Sequence, residues 1–169
     1  AVLAGPESLV TSEDRVAGFR RGLLNAGIEL PGENVIETQF TRDGGYVAMT
    51  ELLDREFDVD VVFAVNDVMA VGAAAALRDQ GYRVPQDMAV AGFDDIPTLR
   101  DVRPALTTVR LPLVEMGRRA LELALGPPVL GLRGGAIAGG AGADDDEPAP
   151  VIITVRGEVV VRESTPPRD

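Results

Sequence analysis

The chain contains no cysteine and no histidine. Disulfides, zinc–thiolate centres, cysteine nucleophiles and Ser-His-Asp catalysis are therefore excluded for it. Lysine is also missing. All 16 basic residues are arginine, which reads as genomic composition bias and not as mechanism. Aromatic residues make up only 4% of the 169 positions, so aliphatic side chains must build the core that an apolar fraction of 46% allows. No apolar run approaches the roughly 18 residues that suggest a membrane span. No charged segment followed by an apolar one resembles a signal peptide. Basic charge is scarce as well, and the net charge is −11. A DNA-binding surface needs a concentrated basic patch. The basic pairs Arg20-Arg21 and Arg118-Arg119 fall in helical patterns, where a solvated face is the expected reading. This chain alone is not expected to bind nucleic acid strongly.

What is present reads as one domain, or a domain with an appendage. The opening AVLAGP has the form of a buried strand end and its turn, so an upstream part is expected to be missing. Thr11 or Ser12 is placed to cap a first helix with Val16, Phe19, Leu23 and Leu24 on one stripe. Residues 35–40 alternate like a strand. Gly44-Gly45 follows, then a helix with Met49, Leu52 and Leu53 on one face. Residues 61–65 are continuously apolar, as a strand covered on both faces must be. Asp67 is placed to cap the next helix, which Gly81 ends, and residues 88–93 form another buried strand. Helices alternating with strands through short connections predict right-handed crossovers and a parallel α/β sheet. Further on come a short strand at 106–109, a helix at 113–125 begun by Pro112, and terminal strands at 151–155 and 158–162. Residues 127–150, rich in Gly, Ala and Pro, read as a flexible low-complexity loop. Its acidic run at 144–147 lacks the alternating ligand spacing of a calcium loop, and no metal is expected there.

The stretch 61–110 proposes a site. In open α/β sheets ligands bind outside the carboxyl ends of the strands. Asn66-Asp67 follows the third strand, Asp94-Asp95 the fourth and Phe40 the second, while Arg15 lies early in the first helix. A carboxylate accepts hydroxyl protons, arginine donates in a fork, asparagine does both, and an aromatic ring covers the apolar face of a sugar. Each residue also has a bland reading. Asn66-Asp67 reads as a helix cap, Asp94-Asp95 as a turn, Phe40 as core and Arg15 as a solvated helix residue. The shared edge lifts the set above its members. The helix between the two strands, with Ala73, Ala74, Ala75 and Ala76, is apolar nearly all round, so it is buried on more than one side. One face suits the sheet and the other a second subunit; the alternative is burial wholly within one chain.

VVFAVNDVMAVGAAAALRDQGYRVPQDMAVAGFDDIP, followed by PALTTVRLPLVEMGRRALELAL, resembles the effector-binding domain of the lactose-repressor (LacI/GalR) family of bacterial transcription regulators. The opening AVLAGPESLVTSEDRVAGFRRGLLNAGI and the ending GEVVVRESTPP are similar to it too. The resemblance covers nearly the whole chain except 127–150. It implies a periplasmic-binding-protein-like fold of type I, a parallel-sheet three-layer sandwich with a ligand cleft between two subdomains. Residues 1–109 and 151–163 would be most of the C-terminal subdomain. Residues 110–126 would be a crossover and a helix of the N-terminal one, and 164–169 a tail. The effector contacts the resemblance implies are Arg15 of the RVAG motif, Phe40 after the second strand, Asn66 of NDxMAxG and the first Asp of GFDD, Asp94. Where some members have a polar contact after TTVR, this chain has Leu111. Val71 and Val102 would lie on the family's dimer face. The implied partners are a small-molecule effector of the sugar kind and a second copy. DNA would be bound only through a region absent from this chain, with no cofactor and no membrane, in the cytoplasm.

Two other classes stay open on the residues alone. A solute-binding protein of a sugar transport system shares the fold. An enzyme using Asp94 and Asp95 as acid and base is the third, although adjacent residues in a turn tend to point apart.

Overall fold

The computed structural model describes residues 1–55, 58–125 and 153–165. Strands β1 (Val2–Ala4), β2 (Val35–Glu37), β3 (Val61–Ala64) and β4 (Ala89–Ala91) form a parallel sheet in the order β2-β1-β3-β4. Helix α1 (Val10–Asn25) links β1 to β2, α2 (Arg42–Asp54) links β2 to β3, and α3 (Asp67–Asp79) links β3 to β4. The first crossover steps one way along the sheet and the other two step back. Right-handed crossovers therefore put α1 on one face and α2 with α3 on the other. The expected three-layer α/β architecture is the one the chain adopts. On the α1 side Phe19 stacks on Phe63 with ring centroids 4.6 Å apart. On the other side Met49, Leu52, Met69 and Leu77 are fully buried. The inner strands β1 and β3 are apolar along their length because both faces are covered, while the edge strand β2 ends on an exposed Glu37.

The backbones of α2 and α3 approach closely where the two helices meet. A Cβ on Gly45 would stand 2.1 Å from the Met69 carbonyl oxygen, and one on Gly44 2.1 Å from that of Gln39. The glycine pair thus lies inside α2, which begins at Arg42 under a Thr41 cap whose hydroxyl accepts from Gly44 N at 3.0 Å. This corrects the expectation that the pair precedes the helix. Close approach demands both glycines: Gly45 faces α3, and Gly44 faces the chain entering its own helix. The small residues of α3 likewise serve this crossing within one chain: Gly72, Ala73 and Ala76 are buried.

Other expectations change too. Neither Thr11 nor Ser12 caps α1; Leu9 stands at that position with no side-chain bond. Ser12 is buried, its hydroxyl accepting from Gly5 N and donating to Gly5 O. The helix after β3 is capped by Asn66, whose carbonyl oxygen accepts from Met69 N at 2.8 Å, and not by Asp67. Leu24, placed on the α1 stripe, is exposed, while Val16, Phe19 and Leu23 pack on the core.

Strand β5 (Thr108–Arg110) pairs antiparallel with β6 (Glu158–Val160). Parallel bridges Ala91–Thr107 and Asp94–Arg110 join this ribbon to the β4 side of the sheet. Ser164, assigned to the tail by sequence, is 0% exposed. Its hydroxyl donates to Val90 O at 2.6 Å and accepts from Thr107 N at 2.8 Å, while its own amide and carbonyl bond Ala105 and Val90. The chain end is a clip between β4 and the approach to β5. Isoleucine 153 to Gly157 carries no strand, so the strand expected at 151–155 is not seen in its described part. The 127–150 loop, its acidic run and residues 166–169 lie outside the described residues.

The chain divides into two compact units, Ala1–Leu111 with Glu158–Asp169, and Pro112–Gly157. In the second, α4 (Leu113–Leu125) has no buried residue. Arg118 and Arg119 pair with Glu115 and Glu122 on its surface, the solvated reading expected for that basic pair. Those bonds, from Arg118 first, hold the Glu115 carboxyl down at about 2.

Candidate functional site

The carboxyl edge of the sheet gathers the polar groups. Arg15 reaches it from the second turn of α1. One of its guanidinium nitrogens donates to Val65 O at 2.7 Å, and the other to Asp94 Oδ1 at 2.8 Å. The guanidinium also lies 4.1 Å from the centre of the Phe93 ring, a cation–π contact. The pair is half-screened from water, with side-chain exposures of 16% and 26%. Burial pushes the Asp94 carboxyl up, although Arg15 opposes that shift.

The backbone at this point is unusual. Asp94 has φ +117° and Asp95 φ +55°, both in the left-handed region that side chains avoid. Such conformations persist only where surroundings over-determine them, and they cluster at functional sites. The turn separates the two carboxylates. Asp95 accepts from Arg162 at 2.5 Å and from Arg110 at 2.7 Å. Burial acts to raise its carboxyl, but the bonds from Arg162 and Arg110 outweigh it and hold it low. Asp94 faces Arg15 while Asp95 ties β5 to the residues after β6, so the two are not a facing acid–base pair.

Asn66 follows the carbonyl that Arg15 holds; it is 3% exposed and spends its oxygen on the α3 cap. Phe40 lies at the same edge but against another neighbour: a Cβ on Gly5 would stand 2.4 Å from its ring. The structure thus joins Arg15 to Asp94, sets Asn66 beside them, and gives Phe40 no described contact with that pair. Sequence reading misses one residue of the arrangement, Phe93, and the role of another, Asp67. Phe93 forms the floor beneath Arg15; its position immediately before Asp94 is the only signal for it. Asp67 is fully buried and bonds Ile96 N and Thr108 Oγ1. Elsewhere, Val71 and Val102 are half-buried and line one depression with Ala74, Tyr82, Val84 and Pro104.

A parallel sheet with helices on both faces belongs to the α/β class, whose open sheets bind ligands outside the carboxyl ends of the strands, where this polar cluster lies. A family model described as periplasmic binding protein-like domain matches residues 1–165. The chain belongs to that family, in the branch found in LacI/GalR-type regulators. It is 44% identical over 123 residues to the HTH-type transcriptional regulator CelR of Thermobifida fusca, covering 73% of this chain and 36% of that protein. It is 38% identical to the HTH-type transcriptional regulator GalR of Escherichia coli, covering 95% of this chain and 42% of that one. A solved complex of the regulator CelR with cellobiose superposes with a TM-score of 0.77 at 36% identity, over 98% of this chain and 46% of that one. The chain therefore spans less than half the length of each of these relatives. Among the described residues no helix is long and apolar enough to cross a membrane.

Proposed function

We propose that this chain is the effector-sensing part of a bacterial transcriptional regulator, and that its effector is a sugar or a related polyhydroxylated metabolite. The observation that carries the reading is the Arg15–Asp94 pair, stacked on Phe93 beside Asn66 at the carboxyl edge of the sheet. A guanidinium fork and a carboxylate at one spot offer donors and acceptors to adjacent hydroxyls. Phe40 supplies the apolar cover. Residues 1–109 and 158–163 act as one subdomain, the stretch 151–157 expected with them falling in the second unit, and 110–126 carries the chain into a second. Effector binding biases the relation of the two subdomains, and through it DNA affinity in a region outside this chain. The regulator works in the cytoplasm as a homodimer, with Val71 and Val102 at the subunit contact. No step requires a cofactor, and the protein acts as a sensor and not as an enzyme.

Calorimetry of the whole protein with cellobiose and a panel of mono- and disaccharides tests this. A sugar is expected to bind, with affinity falling about tenfold or more in Arg15→Ala and Asp94→Ala, the scale of a lost charged hydrogen bond. Unchanged affinity in both variants overturns the site.

A further inference from the structure

The two consecutive left-handed residues at 94 and 95 need something to hold them, and the surroundings point to one side chain. Asp67 is 0% exposed. Its amide donates to Phe93 O at 2.8 Å. Its Oδ2 accepts from Ile96 N at 2.9 Å, at the far end of the same turn. Its Oδ1 accepts from the Thr108 hydroxyl at 2.6 Å, and that hydroxyl oxygen accepts in turn from Asp95 N at 3.3 Å. One residue therefore grips the turn at its start, at its end and, through Thr108, at its middle. Gly92 makes room for it: a Cβ there would stand 2.4 Å from Asp67 Oδ1.

We propose that Asp67 is the positioning residue of the site, holding residues 93–96 in the left-handed turn that points Asp94 at Arg15 and Asp95 at Arg110 and Arg162. Asp67 touches neither Arg15 nor the side chain of Asp94 in any described bond. It acts through the backbone. Its burial fits a structural carboxylate whose bonds are fully engaged, because a buried acceptor without partners is costly. The inference deepens the sugar-sensing reading, since an Asp94 released from this geometry no longer presents its oxygens beside the guanidinium.

The test uses the whole protein and two readouts. Amide exchange by mass spectrometry is measured for the peptide spanning 92–97 and for a control peptide in β3. Cellobiose and the sugar panel are titrated in parallel. Asp67→Ala is expected to speed exchange at 92–97 by about tenfold or more, as loss of a charged hydrogen bond does, with the β3 peptide unchanged. Asp67→Asn, which keeps one acceptor oxygen, is expected to recover part of the protection. Thr108→Val is the second variant should Asp67→Ala not fold. It removes the relay to Asp95 together with the bond to Asp67 Oδ1, leaves the Asp67–Ile96 bond in place, and is expected to loosen the same peptide. Unaltered exchange at 92–97, or equal acceleration in β3, overturns the proposal. If exchange responds as expected but the wild type binds no sugar, the positioning role stands and the sugar reading fails. If sugar binds and exchange does not respond, the reverse holds.

Discussion

A Cβ on Gly72 would stand 1.9 Å from the carbonyl oxygen of Arg42, so α2 and α3 meet there backbone to backbone. A side chain at this point cannot be relieved by rotating a neighbour, because the obstacle is main chain. Gly72→Ala is expected to destabilise the domain by about 1–3 kcal/mol, as overpacking does. Gly18→Ala is the control. It lies inside α1 with nothing within 4 Å of its new Cβ, and is expected to stabilise by about 0.5–1 kcal/mol through helix propensity alone. Urea denaturation of both variants decides the point. A Gly72→Ala protein as stable as the wild type would show that the two helices are free to separate.

Asp94 and Asp95 should give opposite slopes of stability against pH. Burial raises the folded carboxyl of Asp94 above its ordinary value despite Arg15. Between the ordinary and the raised value the folded chain holds the proton more readily than the unfolded chain. Its contribution is therefore greatest below the ordinary carboxylate range and is lost as pH rises through the folded value. For Asp95 burial also works upward, but Arg162 and Arg110 bring the folded value below the ordinary one. Its contribution is present above the ordinary range and is lost as pH falls through the lowered value. Differences in unfolding free energy between wild type and Asp94→Asn, and between wild type and Asp95→Asn, measured from strongly acidic pH up to neutrality, should run in opposite directions: the Asp95 difference shrinks as pH falls below the ordinary carboxylate range, and the Asp94 difference changes as pH rises above it. Parallel curves would contradict the assignment of partners.

Ser164 is expected to matter more than a residue near a chain end usually does. Its hydroxyl donates to Val90 O and accepts from Thr107 N, and it is wholly buried. Ser164→Ala leaves both backbone groups without that partner and should cost about 1–3 kcal/mol. Faster amide exchange at Thr107 would accompany the loss. An exchange rate at Thr107 identical to that of the wild type would mean the clip is dispensable.

The subunit contact proposed at Val71 and Val102 has a direct assay. Both side chains are half-buried and line one depression, so a charge at either enters the same surface. Val71→Glu in the whole protein is expected to shift sedimentation from dimer to monomer, while sugar affinity is retained. A variant that stays dimeric at micromolar concentration would move the contact elsewhere.

How much of this was legible follows from the range of each interaction. The strands show in sequence because buried parallel strands must be apolar along their length, and Val2, Leu3, Val62 and Val90 obey that rule. Asn66 acts as a cap through a bond spanning three residues, so the Asn66-Asp67 pair shows locally as a capping site, although Asp67 is the residue expected to fill it; Thr41 caps α2 in the same way but is hidden by the glycine pair that follows it. Asp67 escapes the same logic. Its type suits a cap, but its carboxylate is engaged 29 and 41 residues away, by Ile96 and Thr108. Gly44-Gly45 misleads for a related reason. Glycine marks turns locally, while here its missing side chain admits another backbone. Arg15 and Asp94 were proposed as edge neighbours, and their direct pairing, with Phe93 beneath, needs the folded sheet. Ser164 carries no local signal at all.

The ribbon of β5 and β6 has a consequence for engineering. Arg110 and Glu158 are cross-strand partners, so the chain leaves the first unit and re-enters it at almost one point. Everything from 112 to 157 is thus topologically an insertion, and the first unit closes on itself without it. An Asn-Gly turn joining residue 110 to residue 158 suits a two-residue hairpin. The resulting minimal domain should keep the sheet, the Asp67 bracket and the Arg15–Asp94 pair in fewer residues. A different segment can be spliced between the same two strands while the Arg15–Asp94 edge is left untouched.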